Sequence, residues 1–225
     1  MKILAIECTH GFASVAVSRD GTIVEQRLAE WQKTAEALVP LVMQVMAEAG
    51  IPSAAELDGV AVSSGPGSFT ALRIGMSVAK GIAFGADLPL LPVPTMIALA
   101  SAALPHTEAA NLVPVIPSRA GEYFAAIYRR DGKALTEIEN FRCDAAKLPG
   151  RLASLGGAFV IVGRGVQTLA DEVPQLASRC IEASFFTASA LLPFAEQAFA
   201  AGGGESSTDA TPEYRQAFVP KQARS

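Results

Sequence analysis

Hydrophobic positions fall at two different spacings along the first hundred residues. Residues 2–7 (KILAIE) form a near-continuous apolar run of strand length, the pattern of a strand buried on both faces. Residues 13–18 read as a second strand, and Asp20-Gly21 is a hairpin-turn pair leading to a third strand at 22–28. The spacing then becomes helical over residues 34–49, where Leu38, Leu41, Val42, Val45 and Ala49 share one face. Thr34 is the candidate cap of this helix and Gly50-x-Pro52 its stop. Val39, Met43 and Met46 lie off the stripe, so the helix is apolar over more than the one face a core needs. A strand at 57–63 runs into Gly65-Pro66-Gly67, and a long helix follows over 68–85. Residues 88–93 predict another strand and 95–103 a short helix, giving the order βββαβα with mixed sheet pairing.

Part of this pattern returns at an offset of about 110 residues, the signature of an internal duplication. Residues 113–116 repeat the first strand, Gly121 falls where Gly11 does, and 124–128 match 14–18. Arg130-Asp131-Gly132 repeats Arg19-Asp20-Gly21, and the strand at 159–162 runs into Gly163-Arg164-Gly165 as the earlier one runs into Gly65-Pro66-Gly67. The second copy is reduced, with only a short helix expected within 144–155. A final amphipathic helix is expected at 187–201, then a polar Gly/Ser-rich linker at 202–211 and a basic tail from Pro212. Duplicated βββαβα halves, divided here at residues 1–104 and 105–225, predict an α/β, actin-like ATPase (ribonuclease H-like) fold with a reduced second half. The last helix and tail are expected to pack back on the first half.

The Gly65-Pro66-Gly67 turn is the centre of the first half. Its two glycines are expected to take backbone angles closed to other residues, with Pro66 stiffening the turn and Ser68 capping the helix. A strand, a Gly-rich turn and a helix N-terminus can hold an anion, and many α/β chains turn the same corner for steric reasons alone. It is not a nucleotide P-loop, which needs Lys-Ser/Thr directly after its last Gly, whereas Lys80 lies more than three helical turns further on.

Composition narrows the function classes. Hydrophobic residues make up 50% and charged ones 18%, enough for a sizeable core and rich for a monomer, which a buried partner surface explains. No membrane span is expected, because the most apolar region, 81–104, holds Asp87, Pro89, Pro92 and Pro94. Met1-Lys2 leads directly into a strand, without the pattern of a signal peptide. Cys8, Cys143 and Cys180 are too scattered for a disulfide framework or a zinc ribbon, so the protein reads as cytoplasmic. A net charge of −4 argues against independent binding of nucleic acid.

With these residues in view, the chain resembles the bacterial TsaB (YeaZ) family, a subunit of the machinery that makes threonylcarbamoyladenosine in tRNA. Gly65-Pro66-Gly67-Ser68-Phe69-Thr70 and Leu72-Arg73-Ile74-Gly75 are similar to that family's most recognisable segment. Leu4-Ala5-Ile6, Ser14-Val15-Ala16-Val17, Arg119-x-Gly121-Glu122 and Pro212-Glu213-Tyr214-Arg215 extend the likeness over essentially the whole chain. It departs from the family pattern at Glu7, where Asp is usual, at Ala71 for Gly, at Lys33 for His, and at Pro117-Ser118 for Asp-Ala. The resemblance implies a non-catalytic scaffold or activating subunit for the paralogous transferase (TsaD family). That enzyme moves a threonylcarbamoyl group from its adenylate to the adenosine 3′ of the anticodon. It further implies an ATPase subunit (TsaE family), a homodimer of the chain itself, tRNA contact only through the complex, and ATP or ADP only at a complex interface.

Two rival readings come from the enzyme class. A small kinase or ATPase of this superfamily needs metal-positioning carboxylates. Glu7 is one candidate, but the matching position of the second half is Pro117 or Ser118, so Glu7 can equally be a strand-end residue serving solubility. A glycopeptidase-like enzyme needs a metal-binding His pair, whereas His10 and His106 are far apart and read as surface-loop histidines. Ser63, Ser64 and Ser68 have no assignable base, and Cys8 reads as a small buried hydrophobe. Arg73 and Lys80 suit a solvated helix face or a partner carboxylate, and Arg119 and Glu122 a local ion pair. Glu7, Arg73, Arg119 and Glu122 are thus the candidates near an interface or nucleotide. For the partner surface the expectation is the two long helices. The first contributes Leu38, Val39, Val42, Met43 and Met46, and the second its row of small residues Ala71, Gly75, Ala79 and Ala83.

Overall fold

The computed structural model describes residues 1–28, 30–206 and 210–211. Strands β1 (Lys2–Glu7), β2 (Ala13–Arg19) and β3 (Thr22–Leu28) form an antiparallel meander, and Asp20 and Gly21 both take positive φ at its first turn. Helix α1 (Thr34–Glu48) returns the chain to β4 (Gly59–Gly65), parallel to β1. Helix α2 (Phe69–Ala86) leads to β5 (Leu90–Pro94), parallel to β4, and α3 (Thr95–Ala103) closes the unit. The second half repeats the sequence of elements as β6 (Asn111–Arg119), β7 (Glu122–Asp131), β8 (Ala134–Asp144), α4 (Leu148–Leu152), β9 (Phe159–Gly163), α5 (Val166–Glu172), β10 (Cys180–Glu182) and α6 (Leu192–Ala200). Both five-stranded sheets have the same order, β3-β2-β1-β4-β5 and β8-β7-β6-β9-β10. The duplicated actin-like fold is therefore present, and so is the reduction: α4 and α5 have 5 and 7 residues where α1 and α2 have 15 and 18.

The strands alternate between two cores, which explains the unbroken apolar runs. Leu4, Ile6, Val15 and Val17 face α1 and α2, while Ile3, Ala5 and Ala16 face the layer between the sheets. From the other sheet Leu112, Ile116, Phe124 and Ala126 enter that middle layer, and Val113, Val115, Ala125 and Ile127 pack with α4 and α5. Helix α3 and the α6 region fill the middle layer, so it is built by both halves. Helix α6 also reaches back to the first sheet: Ser18 Oγ donates to Glu196 at 3.0 Å, and the Phe199 ring lies against Gly59.

Several local expectations change. Thr34 is not the cap of α1; it is the first helical residue and buried, and Lys33 holds the cap position without a side-chain capping bond. Ile51 N–H closes that helix on Met46 O. Ser68 does stand at the cap of α2, but its side chain makes no capping bond; its backbone N–H instead donates to Thr9 O at 2.8 Å. The expected strand at 88–93 starts two residues later because Leu88 N–H completes the end of α2 on Ala83 O. The helix expected over 187–201 opens as a 3-10 turn, Ala188–Leu191, whose start is held by the first half. Ser14 Oγ accepts from Ala188 N–H at 2.8 Å, and Glu25 accepts from Ser189 N–H at 2.8 Å and from Thr187 Oγ1 at 2.9 Å. The Pro212-Glu213-Tyr214-Arg215 motif and the basic tail lie outside the described residues.

Candidate functional site

The first hairpin, the Gly65–Ser68 turn and the end of β6 meet at a cleft of about 320 Å³, lined by His10, Gly67, Ser68, Thr70, Pro117 and Arg119 among others. Gly65, in a cis peptide with Pro66, takes φ +117° and needs glycine for its backbone angle. Gly67 does not take a left-handed angle; it is needed for space. A Cβ there would stand 2.8 Å from both the carbonyl oxygen and the Cβ of Thr9. Gly67→Val is accordingly expected to lose about 1–3 kcal/mol through overpacking. Gly81→Ala, in open space on α2, is expected to gain about 0.5–1 kcal/mol. Thermal unfolding distinguishes the pair, and equal midpoints contradict the assignment.

Glu7 lies beneath this cleft and is fully buried, so it serves no solubility role. One carboxylate oxygen accepts from the backbone N–H of Thr9 at 2.8 Å and from the Thr9 hydroxyl; the other accepts from the Arg164 guanidinium. Arg164 belongs to the Gly163-Arg164-Gly165 turn, the second half's counterpart of the Gly-Pro-Gly turn. Its guanidinium also donates to the carbonyls of His10, Phe12 and Phe186, with the ring of Phe12 3.9 Å and that of Phe186 5.1 Å from Cζ. Sequence reasoning registered this turn as an echo and missed the role of its arginine. The signal was present in a charged residue between two glycines, at a position where the other copy has proline.

Metal-dependent phosphoryl transfer needs carboxylates free to position the ion. The donor set here does not suit that task. Glu7 already has both oxygens engaged, and the equivalent end of β6 offers Pro117 and Ser118. Among the described residues no three His, Cys, Asp or Glu side chains come together in a metal-binding arrangement.

His10 does lie in a loop, between β1 and β2, but not openly on the surface. It is half-buried in the cleft, and burial, reinforced by the Arg164 charge, holds its imidazole below the ordinary 6.5. Above pH 6.5 the folded and unfolded chains both carry it neutral, and it adds nothing. As pH falls through 6.5 the unfolded chain binds the proton first, so stability falls. The melting temperature of His10→Gln is expected to drop less than wild type between pH 7 and 5.5; parallel drops contradict the assignment. His106 is exposed and stacks on Phe185 with ring centroids 3.9 Å apart. At the rim Arg119 Nε lies 2.9 Å from Glu122 Oε2, and Arg142 Nε lies 3.5 Å from Oε1 of the same carboxylate. Arg73 lies over the Phe69 ring at 3.7 Å, and Lys80 donates to Ala210 O at 2.9 Å. Cys8 is buried, donates to Ala71 O at 3.1 Å, and has its thiol pKa pushed up by desolvation, an inert state.

The residues expected on the partner surface divide sharply. Ala71, Gly75, Ala79 and Ala83 are buried against the sheet, and a Cβ at Gly75 would stand 2.3 Å from Cys8 Sγ. This row of small residues lets α2 approach its own sheet and is not available to another helix. Leu38, Val42 and Met46 are buried as well, as members of the core stripe. Val39 and Met43 remain open, 48% and 67% exposed, beside an apolar groove of about 380 Å³ that runs between α1 and Ile82 of α2. Phe84, 74% exposed on α2, is an open aromatic that the pattern did not single out.

Residues 29–179 match the family model described as TsaD, tRNA N6-adenosine threonylcarbamoyltransferase. The chain is 32% identical over 220 residues to the tRNA threonylcarbamoyladenosine biosynthesis protein TsaB of Escherichia coli K12, an alignment covering 95% of this chain and 94% of that one. Among solved structures, YeaZ from Pseudomonas aeruginosa superposes with a TM-score of 0.78 at 25% identity, over 94% of this chain and 100% of that one. The activator of the 2-hydroxyisocaproyl-CoA dehydratase from Clostridium difficile, with bound ADPNP, is 11% identical with a TM-score of 0.51. It covers 90% of this chain and 97% of its own, a likeness of fold alone. Among the described residues no helix is long and apolar enough to cross a membrane.

Proposed function

The chain belongs to the TsaB (YeaZ) family of proteins of tRNA threonylcarbamoyladenosine biosynthesis, and from that premise we propose that it is a non-catalytic scaffold and activating subunit for the paralogous TsaD-family transferase. The observation that carries this reading is the state of Glu7. The carboxylate that would position a metal for phosphoryl transfer is buried and saturated by Thr9 and Arg164. Phosphoryl-transfer catalysis consists almost entirely of positioning and electrostatics, so a cleft without available carboxylates has little to act with. The protein's contribution is then surface. Val39 and Met43, above the α1–α2 groove, are the centre of the transferase contact, and a second copy uses the same face when the transferase is absent. Arg119 lines the cleft, with Glu122 paired to it and Arg73 stacked on the lining ring of Phe69, and nucleotide binds there only when a partner completes the site. The TsaE-family ATPase and the tRNA join through the complex, in the cytoplasm.

The purified chain with Mg-ATP and tRNA is expected to show neither ATP turnover nor modified tRNA. Sustained turnover that disappears in folded Glu7→Ala would make the chain an ATPase and overturn the reading.

A further inference from the structure

A protein built of two halves across a cleft can hinge, the halves closing around a ligand. In this chain an arginine of the second half crosses the cleft and occupies the first half's hairpin. Arg164 takes one oxygen of Glu7 and the carbonyls of His10 and Phe12 from the first half, and Phe186 O from its own. Its guanidinium lies between an aromatic ring of each half, Phe12 and Phe186. Both charges of the pair are buried, Arg164 6% exposed in its side chain and Glu7 0%. A second set of ties runs in the opposite direction, from Ser14, Ser18 and Glu25 of the first half to the start and body of α6.

We infer that Arg164 acts as a tethered cation, seated across the cleft in the first-half hairpin, and that it locks the chain closed. A ligand-driven hinge has two states whose balance a bound cation shifts; a cation fixed in the chain removes the shift and leaves one state. A partner then meets a preorganised surface and loses little conformational freedom on binding. This goes beyond the scaffold reading and does not depend on it, since a locked chain is measurable without any partner.

The test places spin labels on the outer faces of the two sheets, at Gln44→Cys on α1 and Gln167→Cys on α5, both exposed, in a Cys180→Ser background that leaves only the buried Cys8 and Cys143. Pulsed dipolar spectroscopy on the otherwise native chain is expected to give one narrow distance distribution, unchanged by millimolar Mg-ATP. Two populations, or a shift with Mg-ATP, overturn the lock without bearing on partner binding. In Glu7→Gln/Arg164→Met, which leaves no buried charge to unfold the chain, the distribution is expected to widen at least twofold. A width equal to the native one shows that Arg164 does not hold the halves.

Discussion

Arg164→Met is expected to lower stability by about 3–5 kcal/mol, the cost of leaving one member of a buried ion pair without its partner. Met keeps most of the apolar stem, so the loss arises from the polar head: Glu7 retains the Thr9 donors but no countercharge in a site closed to water, and the carbonyls of His10, Phe12 and Phe186 lose their donor. One consequence separates this from ordinary loss of packing. Glu7→Gln added to Arg164→Met should recover a large part of the loss, because a neutral pair has no charge to compensate. Denaturant unfolding of the four proteins of this cycle at pH 7.5 measures the effect. A single variant within about 1 kcal/mol of wild type at pH 7.5 contradicts the assignment.

The second large effect concerns association. Val39→Glu with Met43→Glu places two carboxylates on the rim of the α1–α2 groove, at positions already exposed in the isolated chain. Folding should therefore be spared, with a native circular dichroism spectrum and a melting temperature close to wild type. Binding of the paralogous transferase should weaken by several kcal/mol, about a thousandfold in Kd, because both charges must be desolvated in the contact. The buried neighbours give the control. Val42→Glu, 3% exposed, should damage the fold itself. Unchanged affinity in the folded double variant places the interface on another face.

These expectations differ from a reading of the sequence alone in ways that follow from what local pattern can carry. The unbroken apolar runs of β1, β2 and β4 and the Asp20-Gly21 turn made the first half legible, and the offset repeat made the second legible as its copy. The α1 stripe through Leu38, Val42 and Val45 was legible too, as was the excess at Val39 and Met43. Small residues at intervals of four on α2 were not decisive, because the same row suits a helix pressed on its own sheet or on a partner. Cys8, distant in sequence, settled the matter by occupying the space at Gly75. The start of α6 lost its expected regular helix to a cap supplied by Glu25, more than 160 residues earlier, which no window of sequence displays. Glu7 was identified as a carboxylate at a meaningful position, but its state depends on Arg164, 157 residues away.

The central claim, that this chain acts by enabling its paralogue, is tested most directly by reconstitution. The TsaD-family transferase and the TsaE-family ATPase are supplied with threonylcarbamoyl adenylate, ATP and unmodified tRNA, with and without this chain, and modified adenosine 3′ of the anticodon is measured. Product is expected only when the chain is present, and not with its Val39→Glu/Met43→Glu variant. Equal product without the chain, or product from the chain alone, contradicts the account.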